Sequence, residues 1–247
     1  GTLVVSNAEF LAGLVIHQLS NPGSPVLYGS VSTTMDLRNG NATIGTPEIA
    51  LLSSAAAQMA RRYGVPANVH GGSDSKASDA QSSHEMTLTA LLPVLAGGGL
   101  ITAAGVLDMG LTTCYRQLVR DCEFIRMIKY VQNGMQIDDE SLALDVINEI
   151  GSMGTYLTHE STARLVRTSH SVPGLIDRQS SSDWERSGSK TMDERAYTKA
   201  MEILNNHHPC ELREDVATLV NEIAGEGEKK ILGQQGPNRN RRDHQKW

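Results

Sequence analysis

A chain of 247 residues, 39% hydrophobic and 20% charged, has the composition of an ordinary folded protein and is long enough to bury one full core. Its formal net charge of −6 argues against nucleic acid as the main partner, because phosphate recognition asks for a basic face. The odd count of three cysteines, Cys114, Cys122 and Cys210, without ligand-like spacing, points to a reducing, cytoplasmic compartment and away from a disulfide framework or a zinc site.

In chain order, Leu3–Val5 reads as the end of a strand, and Ser6-Asn7-Ala8-Glu9 as a capping box that opens a helix. That helix carries Phe10, Leu11, Leu14, Val15 and Leu19 on one face and stops at Asn21-Pro22-Gly23. With no initiator Met and a strand end at the start, the chain looks like part of a longer protein; a signal peptide is not expected. Pro25–Tyr28 is a second strand, followed by a polar loop through Gly45. Thr46-Pro47-Glu48 starts a helix with Pro at the first helical position, where no donor is lost, and the helix ends near Tyr63-Gly64.

Pro66–His70 is a third strand, and Ser78 with Gln81 marks a second capping box for a helix to about Ala96. Leu100–Ala104 is a fourth strand. Thr87–Leu107 holds no charge and is long enough to span a bilayer, but Pro93 and Gly97-Gly98-Gly99 cut it into a helix and a strand, so no membrane span is expected. Helices fit Thr113–Asn133, closed by a left-handed Gly134, and Asp139–Ile150, with acidic residues in its first turn. Gln179–Lys190 reads as a polar connector, and Ala196–Asn205 and Glu214–Ile223 as outer helices. Arg239, Arg241, Arg242 and Lys246 sit in a polar tail that reads as a solvated end.

The recurrence of strand, loop, helix and strand predicts a parallel α/β architecture, which four strands satisfy as half of an eight-stranded barrel or as a small open sheet. Chemistry in such folds gathers at the carboxyl ends of the strands. Pro66–Gln81 has that position: an apolar run reaching His70, the pair Gly71-Gly72, then a polar packet before a helix. Tyr28, His70 and Thr102 fall at or near strand ends and could converge on one mouth, or Tyr28 and His70 could be ordinary hydrogen-bonded residues. His84-Glu85 could reach the mouth, although solvent is the favoured placement. Gly71-Gly72 is no phosphate loop, since Asp74 would repel a phosphate; the glycines instead let a strained turn or something bulky approach the backbone. His207, His208 and Cys210 lack the spacing of a helical zinc pair, so no metal site is expected.

Beyond these patterns, a set of separated motifs resembles the trimethylamine–corrinoid protein methyltransferases. They are Asn7-Ala8-Glu9, Thr46-Pro47-Glu48, Asp74-Ser75-Lys76, Asp79-Ala80-Gln81, Met86–Pro93, Gly105–Gly110, Met127–Tyr130 and Asp138-Asp139-Glu140. Asp177-Arg178, Trp184, Gly188, Glu194–Tyr197 and Ile203-Leu204 continue the likeness over nearly the whole chain. The resemblance implies a (β/α)8 TIM-type barrel of which this is the C-terminal half, with a half-barrel over 1–178, extra C-terminal helices over 179–232 and a disordered tail over 233–247. It also implies a reaction in which a methyl group moves from trimethylamine to the Co(I) of a separate corrinoid protein, feeding methanogenesis or a related one-carbon pathway. The corrinoid (cobalamin) would come with that partner protein and no cofactor would bind this chain directly; a homo-oligomer is expected.

The family pattern places pyrrolysine after the Gly-Gly pair and before Asp-Ser-Lys. Here only Ser73 separates Gly72 from Asp74, so the loop is one residue short, as an omitted pyrrolysine or a real deletion would leave it. A tertiary amine is a poor leaving group, and an electrophilic imine in a pocket could capture and orient it while the cobalt nucleophile attacks the methyl in line. On this reading Asp74 or Glu85 holds the cationic group, with Tyr28, His70, Gly71, Gly72, Ser73 and Thr102 lining the substrate site. The chain departs from the pattern at Thr102, where many relatives have Tyr or His, and at Ala77-Ser78, in place of an apolar residue and Pro. The alternatives are a pyrrolysine-free methyltransferase for a quaternary amine of the glycine betaine type, and a non-catalytic fragment.

Overall fold

The described residues of the computed structural model are 1–234. Helix α1 (Thr2–Ser20) opens the chain, so Leu3–Val5 is helical and the expected first strand is not formed. Val4 and Val5 already donate their amides to Gly1 O: a lone strand needs a neighbour to satisfy its backbone, whereas a helix satisfies itself. Ser6 therefore lies inside the helix and bonds Ser32 Oγ at 2.8 Å instead of capping. This helix is the one described helix that length and composition would allow to cross a membrane. It is anchored to the protein by Phe10, which packs on the Tyr28 ring at 4.3 Å.

Strand β1 (Tyr28–Gly29) follows, then β2 (Thr34–Asp36) and β3 (Asn41–Thr43), an antiparallel hairpin inside the segment expected to be loop. Helix α2 (Pro47–Tyr63) begins at Pro47 after the N-cap Thr46 and ends on Gly64 in the left-handed region (φ 69°), as the sequence predicts. Strand β4 (Ala67–His70) leads through Gly71–Ser78 into α3 (Ala80–Leu95). The cap of α3 is one residue later than expected: Asp79, in extended conformation, accepts from Ser82 N, and Ser82 Oγ accepts from Asp79 N. Strand β5 (Leu100–Thr102) is followed by a second small hairpin, β6 (Val106–Leu107) with β7 (Thr112–Thr113).

Helix α4 (Tyr115–Gln132) stops before Gly134 (φ 70°). The expected helix over Asp139–Ile150 is broken into α5 (Asp139–Leu142) and α6 (Leu144–Ile150) by Ala143 at φ 50°. After α7 (Glu160–Leu165), the presumed connector contains α8 (Ser181–Arg186), whose N-cap Ser180 accepts from Asp183 N. Helix α9 (Met192–Asn206) is tied to α4 by an Arg116–Asp193 ion pair at 2.6 Å. The chain divides into units Gly1–Asn205 and Asn206–Trp247; in the second, α10 (Glu214–Gln234) is the described element, with Val216, Leu219, Val220 and Ile223 exposed. The basic cluster Arg239–Lys246 lies outside the described residues.

The class is mixed α/β, mostly helical, with small sheets. Among the described residues the one parallel sheet has the order β1-β4-β5, three strands rather than four, joined by helical crossovers. The register pairs Tyr28 with Ala67, Val69 with Ile101, Asn68 with Gly29 and Leu100, and His70 with Thr102. Alternation then gives the sheet two unlike faces. Tyr28, Ala67 and Val69 join Ala56, Ala57 and Ala60 of α2, Met86, Ala90 and Val94 of α3, and Ile128 of α4 in the core. Burial of a side chain such as Met86 contributes about 1.5–3 kcal/mol. Asn68, His70 and Thr102 belong to the opposite face, with His70 and Thr102 at the carboxyl ends of their strands.

Candidate functional site

The loop Gly71–Ser75 leaves the sheet at the end of β4 and is held on three sides. Gly71 N donates to Thr102 O at 3.0 Å, extending the β4–β5 pairing by one bond. Gly71, Gly72, Ser73 and Ser75 are buried. A Cβ on Gly72 would meet His70 Nε2 at 2.6 Å and Ile44 Cδ1 at 2.8 Å, and one on Gly71 would meet Ala90 Cβ at 3.0 Å. The glycine pair is therefore a close-approach device, and not a cradle for phosphate.

Both acidic candidates are engaged. Asp74 accepts from the amides of Ile44 (2.7 Å) and Gly45 (3.1 Å), which ties the loop to the chain just ahead of α2. Glu85 Oε2 accepts from Ser73 Oγ and from Asp74 N, both at 2.8 Å, and its Oε1 accepts from Gln81 Nε2 at 2.8 Å. A Cβ on Gly45 would lie 2.4 Å from Glu85 Oε2, so a side chain there would require the Glu85 carboxylate to shift. On the far side, Asp108 N donates to Ser75 O at 2.8 Å and Met109 N to Ser73 O at 3.2 Å. Lys76 reaches Asp108 at 3.3 Å and Asp74 O at 2.8 Å. Ser78 accepts from the buried Arg120 at 2.5 Å, which restrains the loop where it enters α3.

His70 is half-buried, and its Nε2 is buried without a hydrogen-bond partner against Gly72. Burial pushes its pKa below 6.5 and outweighs the opposing pull of Asp74, so the ring is neutral near pH 7. Beside it, Thr102 Oγ1 donates to Asn68 Oδ1 at 3.2 Å. The structure thus brings His70, Gly71, Gly72, Ser73, Asp74, Glu85 and Thr102 to one end of the sheet.

Tyr28 stands apart from that group. It is 3% exposed, on the helix-covered face, stacked on Tyr63 and packed at a tilt against Phe10, and its hydroxyl donates to Asn7 Oδ1 at 3.1 Å. Burial, with Tyr63 adding, raises its pKa. Of the pair favoured to face solvent, His84 is exposed, whereas Glu85 turns to the loop and bonds Ser73 Oγ and Asp74 N. His207, His208 and Cys210 are exposed, and no metal-holding cluster occurs among the described residues. Asn68 and Thr89 were not singled out from the sequence. Asn68 had a signal, as the polar member between Ala67 and Val69; Thr89, inside an apolar helical run, had none.

Over residues 1–225 the chain matches the family described as trimethylamine methyltransferase. It is 42% identical over 229 residues to trimethylamine methyltransferase MttB of Desulfitobacterium hafniense, covering 92% of this chain and 46% of that protein. Against MttB of Methanosarcina thermophila the identity is also 42%, covering 87% of this chain and 45% of the relative. A glycine betaine methyltransferase of Desulfitobacterium hafniense is 37% identical, at 87% and 45% coverage. The chain spans about half the length of these curated relatives. With the motifs and the match running together from α1 into α10, the chain belongs to the trimethylamine methyltransferase family.

Proposed function

We propose that this chain carries the amine-facing loop of a trimethylamine–corrinoid protein methyltransferase. A methyl group passes from trimethylamine to the Co(I) centre of a separate corrinoid protein. The C–N bond breaks, its electron pair stays on nitrogen, and that nitrogen takes a proton to leave as dimethylamine. The observation that carries the reading is the buried, multiply tied loop Gly71–Ser75 at the strand ends of a chain 42% identical to trimethylamine methyltransferases.

In this reading Asp74 and Glu85 fix the loop and place negative charge beside a cationic amine. His70, neutral, offers its unpaired Nε2 at the loop, with Thr102 next to it on the same face and Asn68 bonded to Thr102. Gly71, Gly72 and Ser73 form the backbone wall, and Tyr28 supports β1 from the packed side. A further residue, pyrrolysine, stands between Gly72 and Ser73 in this reading, because only Ser73 separates the glycine pair from Asp74-Ser75-Lys76. That residue would supply an electrophilic imine for the amine. The C-terminal half of a (β/α)8 barrel, a cytoplasmic location and a homo-oligomeric assembly belong to the same proposal.

The test is methyl transfer to the corrinoid protein by the chain in the full length of its relatives, with trimethylamine, dimethylamine and glycine betaine offered separately. Transfer from trimethylamine is expected. Turnover of glycine betaine alone would replace this reading with the quaternary-amine one, which the 37% identical relative makes the natural rival. No transfer from any of them would sink both.

A further inference from the structure

Thr89 has no part in the roles assigned above, yet it is wholly buried and touches the loop at its tightest point. It lies four residues after Glu85 on α3, so the two side chains share one helix face. Thr89 Oγ1 accepts from Gly72 N at 3.3 Å and has Glu85 O as its nearest acceptor, at 2.7 Å. One turn earlier, Glu85 Oε2 takes Ser73 Oγ and Asp74 N. A single helix face therefore grips the chain on both sides of the Gly72–Ser73 bond. A buried amide left without an acceptor is costly, so each grip resists rotation of the backbone it holds.

We propose that Glu85 and Thr89 form a positioning clamp, with Thr89 fixing the Gly72 peptide so that the group presented at the Gly72–Ser73 junction is aimed at the methyl donor. Thr89 acts through Gly72 and does not touch substrate. The inference rests on the methyltransferase reading for its effect on rate, and on the hydrogen bond itself for its effect on the loop. Misaiming a reacting group by about 1 Å can cost on the order of a hundredfold in rate.

The experiment compares Thr89→Val, Thr89→Ala and Thr89→Ser in the full-length protein, by methyl-transfer kinetics and by amide hydrogen exchange at Gly72. Both Thr89→Val and Thr89→Ala should lower kcat by about ten- to hundredfold with KM for trimethylamine within about twofold of wild type, and Thr89→Ser should restore most of the rate. Gly72 exchange should speed up in the first two and stay near wild type in the third. Wild-type kcat in folded Thr89→Val or Thr89→Ala, or a Thr89→Ser as slow as either, would overturn the clamp. Should wild type transfer no methyl, the functional reading fails on its own. Exchange at Gly72 still decides the hydrogen bond, and unchanged exchange in Thr89→Ala would reject it.

Discussion

An alanine at position 72 would set its methyl 2.6 Å from His70 Nε2 and 2.8 Å from Ile44 Cδ1, closer than a real Cβ is found. Gly72→Ala is therefore expected to cost about 1–3 kcal/mol, read as a lower denaturation midpoint, and to abolish most methyl transfer; an unchanged midpoint would show that the neighbours yield freely. His70 and Asp121 pull pH stability in opposite directions. His70, with its pKa lowered from 6.5, contributes fully above about 6.5, a contribution lost as pH falls through its folded value. Burial pushes Asp121 up to about 6 from 3.8, against the Gly105 N and Gln117 hydrogen bonds that favour its ionised form. Its contribution is complete below about 3.8 and lost as pH rises through about 6. At about 1.4 kcal/mol per pKa unit, that loss is on the order of 3 kcal/mol. Urea melts of wild type and Asp121→Asn should show the wild type's relative stability falling by this amount between pH 4 and 7, whereas a difference constant with pH would contradict the assignment.

At the scale of elements, caps decide where helices start. Ser78 and Asp79 are both good caps and adjacent, so the sequence does not choose between them; the backbone does, since Asp79 is extended (φ −131°, ψ −164°) and its carboxylate reaches Ser82 N. Asp79→Ala should destabilise by about 1 kcal/mol, while Gln81→Ala, at an exposed position, should cost less than half of that. Equal losses in thermal melts would restore the earlier cap. Helix α2 was legible because Thr46, Pro47 and Gly64 each permit little else at their positions. The start of α1 was not: Leu3-Val4-Val5 is a short apolar run that strand and helix patterns both accept. The break at Ala143 was also invisible, since alanine is the best helix former and nothing flanking it marks a left-handed residue.

For the molecule as a whole, parallel pairing was legible from strands alternating with helices, though the β1-β4-β5 order was not, and His70 and Thr102 were placed at strand ends by the same pattern. What stayed hidden is what crosses long sequence distances: Asp74 holding Ile44 and Gly45 across 30 and 29 residues, or Tyr28 turned to Asn7 across 21. No local pattern encodes those ties. They nevertheless determine which residues of the loop are free to meet a ligand. The proposed site turns on one covalent fact, whether a further residue stands between Gly72 and Ser73. The mass of the tryptic peptide Tyr63–Lys76 from the purified protein measures it directly: a mass exceeding the printed sequence by one pyrrolysine residue is the expected result, and a mass equal to the printed sequence would contradict it.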